Sequence, residues 1–130
     1  MEYGDDEWEG NIVRAHHRLQ SIEREPWEIR VSRHSEWVLR HREFHESLVS
    51  ACDQKWLLRL RALMFDQMER YRFLTKMAPK GMGDRKRREH KRIMQAVLSS
   101  DVSLVCELID VHVRDTSRRA VELLQAHYQK

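Results

Sequence analysis

The chain has 130 residues, room for one domain with one modest core. Apolar residues make up 41% and charged residues 35%, with 24 Lys and Arg against 21 Asp and Glu, and only 4 Gly and 2 Pro. So little turn punctuation argues against a strand-rich fold, and a net charge of +3 is weak support for a nucleic-acid partner. No apolar run is long enough to cross a bilayer, and the start, Met1-Glu2-Tyr3-Gly4-Asp5-Asp6-Glu7, is acidic where a signal peptide is basic and then apolar. A soluble, cytoplasmic protein with no membrane partner is expected.

In chain order, a first helix is predicted over about Asp5 to Glu23, with Trp8, Ile12, Ala15, Leu19 and Ile22 at helical spacing. Glu25-Pro26 ends it, and Pro26 suits the first turn of a second helix running to about Ala51, with Trp37, Val38, Phe44, Leu48 and Val49 on one stripe. After Cys52-Asp53-Gln54-Lys55 a third helix carries Trp56, Leu57, Leu60, Leu63, Met64, Tyr71 and Leu74 in register. A second apolar strip on that helix, Leu58, Ala62, Phe65 and Phe73, implies a central position in the bundle or a face shared with a second subunit. Ala78 to Asp84 reads as a loop, about Asp84 to Leu98 as a fourth helix, and Ser99-Ser100-Asp101 as a turn with an N-cap for a fifth. The expected fold is all-α, an antiparallel bundle of about five helices in a single domain over residues 1–130, with homodimerisation expected. Cys52 and Cys106, among apolar neighbours, read as buried free thiols.

Eight histidines divide by position. His16, His17 and His127 read as solvated. His34, His41, His45, His90 and His112 fall inside apolar stripes. His41 and His45 are four apart and share one helical face. His90 lies ten residues before Ser100 and His112 twelve after it. At ~1.5 Å per residue those are about 15 and 18 Å along two antiparallel helices, which sets the two imidazoles level across a hairpin. Four buried imidazoles without partners are costly, and one shared cation satisfies them together. A polar core network is the alternative. Imidazole nitrogen suits zinc, nickel, copper or iron(II) alike; a divalent transition metal is expected, with zinc taken first and nickel second.

At these residues the sequence resembles a known family. The run His41-Arg42-Glu43-Phe44-His45-Glu46-Ser47-Leu48-Val49-Ser50-Ala51-Cys52 resembles the signature helix of the FCD domain, the effector-binding half of FadR-type GntR transcription regulators. Trp56 to Arg61, with Gln67 and Glu69 to Arg72, is similar to its next helix, and Glu89 to Leu98 with Asp101, His112 and Val113 to its closing hairpin. The resemblance implies a divalent metal held by His45, His90 and His112. The first ligand position, four residues before His45, falls on His41, where the family more often has Asp or Asn. It also implies a small organic acid as effector, and DNA binding only through a winged helix-turn-helix that this chain lacks, as it lacks what resembles the domain's first helix. Four neutral imidazoles leave the metal charge uncompensated, which favours an anionic effector. Arg61, Gln67, Arg70 and Tyr71 border or interrupt the apolar stripe of the third helix and are the candidate effector-binding residues, arginine offering bidentate contact to a carboxylate; as surface residues they would make only rim salt bridges.

Three other functions compete. The basic run Asp84-Arg85-Lys86-Arg87-Arg88 offers phosphate contacts, but it has no interleaved aromatics and reads better as a solvated helix start. A metal-dependent hydrolase needs a general base beside the metal, and Glu43 and Glu46 point away from the face bearing His41 and His45. No HExxH, nucleophile elbow or phosphate loop is present, so no catalytic residue is assigned. A dimerisation module with a degenerate metal site is the remaining alternative.

Overall fold

The computed structural model describes residues 4–72 and 82–129. Among them are six helices and no strand: α1 (Asp6–Glu23), α2 (Trp27–Ser32), α3 (His34–Val49), α4 (Lys55–Arg72), α5 (Met82–Leu98) and α6 (Val102–Tyr128). The fold is all-α, as the composition and periodicity imply. Phe73, Leu74 and the loop positions 78–81 lie outside the described residues. Met82, Gly83 and Asp84, expected in that loop, already belong to α5.

Local signals explain most boundaries. Asp5 caps α1 by accepting the Trp8 N–H at 2.8 Å, and acidic residues at positions 6, 7 and 9 complement the helix dipole. The α5–α6 turn closes the last turn of α5: Ser100 adopts φ 53°, its N–H donates to Val97 O at 3.0 Å, and the Asp101 N–H donates to Ala96 O at 3.2 Å. Asp101 then caps α6 by accepting the Leu104 N–H at 3.1 Å. One residue thus ends one helix and its neighbour starts the next, which makes the hairpin tight.

The helix expected from Pro26 to Ala51 is two helices, so six stand where about five were expected. The break is at Arg33, with φ −101° and ψ 23°. No Gly or Pro marks it. The bend costs few hydrogen bonds, because Arg33 N–H still reaches Ile29 O at 2.9 Å and Trp37 N–H reaches Arg33 O at 3.0 Å.

The core is built from α1, α3, α5 and α6. Trp8, Ile12 and Leu19 of α1, Phe44 and Leu48 of α3, and Ile93 and Val97 of α5 form one buried cluster, with Val105, Leu108 and Ile109 of α6 packed on it. Helix α1 is antiparallel to α3. Trp8, at its start, donates from Nε1 to Ser47 O (3.0 Å) near the end of α3, and Glu23, at its end, accepts from Trp37 Nε1 (3.2 Å) near the start.

Helix α4 reverses the expected order of its two apolar strips. Leu58, Ala62 and Phe65 take the half-buried side, while Trp56, Leu57, Leu60, Leu63 and Met64 are exposed, Trp56 at 63%. Spacing gives a face and not its direction; the larger strip is simply not the one that meets the bundle. Two further expectations change. His16, read as solvated, is buried and packs against Phe44 at 5.7 Å, because it continues the stripe Ile12, Leu19, Glu23. Cys52 and Cys106 are free thiols, but Cys106 is exposed, since Val105, Leu108, Ile109 and His112 turn the other side of α6 inward.

Candidate metal centre

Three helices deliver four imidazoles to one point. His41 and His45 project from successive turns of α3, His90 from the middle of α5 and His112 from α6. One potential ligand atom from each lies within 4.8 Å of all the others, so this group has the spacing to hold a metal ion. The ring centroids of His90 and His112 are 4.9 Å apart, the level pairing that residue counts across the hairpin predict. His45 lies 5.4 Å from His90 and 5.3 Å from His112. His34 stays outside, stacked on Trp37 at 5.8 Å.

The outer ring nitrogens show how the rings are held. His90 Nδ1 donates to Glu23 Oε1 at 3.1 Å, and His112 Nδ1 donates to Glu89 Oε2 at 2.8 Å. A carboxylate behind an imidazole fixes the tautomer with its proton outward and the lone pair of Nε2 inward, the arrangement common around metal-bound histidine. Glu23 is itself buried, and its other oxygen takes the Trp37 indole proton. Trp37 in turn stacks on His41 with centroids 4.5 Å apart. His90 Nε2 is buried and has no hydrogen-bond partner among the described residues. Such an orphaned atom is costly in a dry interior, and a cation supplied between the rings satisfies it.

Burial keeps His41, His45 and His112 neutral. It pushes the pKa values of His41 and His45 well below the ordinary histidine range, and the neighbouring imidazoles push the same way. His112 is lowered to about 4, chiefly by burial, against the opposing pull of its hydrogen bond to Glu89. Glu89 is lowered to about 2: burial opposes this, and the bond to His112 together with Lys86 and Arg85 outweighs it. At neutral pH the rings of His41, His45 and His112 are therefore neutral and carry lone pairs, the form a metal binds.

The effector candidates separate. Arg61 is half-buried, 5.3 Å from the centroid of Phe65, whose ring packs 6.0 Å from His45. Gln67, Arg70 and Tyr71 lie on the exposed side of α4. Sequence reasoning passed over Arg72, whose guanidinium is 4.3 Å from the centroid of Phe65 and 3.2 Å from His41 Nδ1. It also passed over Glu23, Glu89 and Trp37. Glu23 carried a signal, because it falls on the stripe Ile12, Leu19 where a carboxylate needs a buried partner. Arg72 carried none.

The FCD domain model matches residues 5–115, which takes in all four histidines. The chain belongs to the FCD domain family. Two curated proteins are similar to this FCD domain. One is an uncharacterized HTH-type transcriptional regulator, BphR of Paraburkholderia xenovorans (strain LB400), 33% identical over 113 residues that cover 87% of this chain and 46% of that protein. The other is the HTH-type transcriptional repressor GlaR of Escherichia coli (strain K12), 32% identical over 114 residues, 85% of this chain and 50% of that protein. The chain spans about half the length of these relatives. Both are named as regulators of transcription. No solved structure matches the chain.

Proposed function

We propose that this FCD domain is the ligand-sensing part of a FadR-type GntR transcription regulator. It binds one divalent transition metal, zinc before nickel, through His41, His45, His90 and His112, and a small organic acid in the open coordination positions. The ligand state then sets DNA binding by a winged-helix domain outside this sequence. The observation that carries the reading is the buried Nε2 of His90, without a hydrogen-bond partner among the described residues, in a cluster whose ligand atoms all lie within 4.8 Å of one another. The four ligands are neutral and the carboxylates of Glu23 and Glu89 stand behind the rings rather than on the metal, so an open coordination position suits an anion, and Arg61 adds a half-buried cation on the Phe65 side. Of the four effector candidates, Arg61 is best placed; Gln67, Arg70 and Tyr71 would need an effector that reaches the outer side of α4.

A homodimer belongs to the same reading. Trp56, Leu57, Leu60, Leu63 and Met64 are exposed at helical spacing along α4, and a twofold contact of α4 with its own copy covers them without any second surface being needed.

Elemental analysis of the purified protein tests the proposal, beside His45→Ala and His90→Ala. About one transition metal per chain, lost in both variants, is expected. A metal-free protein that still takes up no zinc or nickel refutes the sensing function.

A further inference from the structure

His41 differs from the histidines of α5 and α6 in what meets its second ring nitrogen. His90 and His112 each turn Nδ1 toward a carboxylate, at 3.1 and 2.8 Å, and so keep a lone pair for the centre of the cluster. His41 turns Nδ1 toward NH1 of Arg72, at 3.2 Å. A guanidinium has donors only, so His41 accepts there and its ring proton sits on Nε2. That nitrogen is 3.1 Å from His45 Nε2, so His41 donates to His45. With Nδ1 accepting from the guanidinium, the ring carries a single proton and is neutral.

A neutral imidazole has one in-plane lone pair, and a metal needs that same pair. If Nε2 ligates, the proton moves to Nδ1 and meets Arg72 donor to donor. If Nδ1 ligates, the metal takes the place of the guanidinium. Resting on the metal reading above, we infer that Arg72 competes with the metal for His41: it holds the fourth ligand back in the metal-free protein, and metal capture by His41 displaces it.

Arg72 is placed to persist as that competitor. Its side chain is 11% exposed, and NH1 also donates to Glu69 Oε1 at 2.7 Å. Phe65 lies against both the guanidinium and His41, at 4.3 and 5.8 Å. Displaced from His41, the guanidinium keeps its Glu69 partner at the end of α4, and a carboxylate on the metal is then a new acceptor for it. The order imposed is metal before anion.

Zinc titration against a chromophoric chelator tests this in the full chain, in Arg72→Met, in His41→Ala and in the double variant. Arg72→Met should bind zinc about tenfold more tightly than the unmodified chain, the effect of removing one charged hydrogen bond. In the His41→Ala background the same substitution should change affinity less than about twofold, because only general charge repulsion is left. Equal effects in both backgrounds, or no tightening, overturn the competition. Long-range 1H–15N spectra of the unmodified chain give a readout that needs no variant: His41 should carry its proton on Nε2 without metal and lose that form on adding zinc. A metal-free His41 protonated on Nδ1 overturns the inference. A chain that binds no zinc refutes the metal reading as well, whereas zinc bound by the unmodified chain and lost in His90→Ala, with no tightening in Arg72→Met, refutes the competition alone.

Discussion

Replacing Glu23 by glutamine keeps the shape of a buried group and reverses one of its two polar ends. The carboxylate accepts two protons, from His90 Nδ1 at 3.1 Å and from Trp37 Nε1 at 3.2 Å. Glutamine accepts at one end only. If its NH2 faces the indole, two donors collide at a site that is 4% exposed. If it faces His90, the imidazole must turn Nδ1 into an acceptor and move its proton to Nε2, the nitrogen aimed at the centre of the cluster. The first outcome leaves a buried donor unsatisfied, worth about 1–3 kcal/mol of folding stability. The second protonates a metal-ligating nitrogen; loss of an orienting partner of this kind weakens metal binding about 10–100-fold, or roughly 1.4–2.7 kcal/mol. Urea unfolding of the metal-free chain reads the first effect, and zinc competition at fixed pH reads the second. If Glu23→Gln leaves stability within ~0.5 kcal/mol, the scale of an ordinary surface change, and zinc affinity within about twofold, the carboxylate does not orient His90.

Saturating metal should stabilise the fold: free zinc at about 100 times its Kd adds about 2.7 kcal/mol, roughly 10 °C in Tm for a domain of this size, and thermal scans with and without chelator should show no such shift in His90→Ala. Without metal, stability should fall as pH drops from 6.5 toward 4, because the unfolded chain takes up protons there while buried His41, His45 and His112 do not; His112 alone, lowered to about 4, accounts for roughly 3 kcal/mol across that window, and a flat urea midpoint over this range would contradict its burial as a neutral base. Leu60→Glu with Leu63→Glu on the exposed strip of α4 should convert a dimer to a monomer in light scattering while leaving helicity and zinc binding intact; an unmodified chain that is monomeric at high concentration removes that role for the strip. Ser100→Gly relieves a left-handed backbone that costs about 1–2 kcal/mol, partly offset by the greater freedom of glycine when unfolded, so Tm should rise by a few degrees.

The sequence by itself determined the helical class, the helix starts marked by Asp5 and Asp101, and the facing of His90 and His112, because each follows from local periodicity and from counting residues about one tight turn. It also grouped His41 with His45, since residues four apart on a helix cannot avoid one another. Which face of α4 meets the bundle was decided only by tertiary packing: Trp56 and Leu60 make the stronger stripe, yet Phe65 on the weaker one packs against the histidines. The bend at Arg33 belongs there too, having no Gly or Pro to announce it. So do the contacts of Glu23 with His90 and of Arg72 with His41, which join residues 67 and 31 positions apart. Periodicity says that a side chain turns inward; only the folded chain says what it meets there, and that meeting decides which imidazole nitrogen is left for a metal.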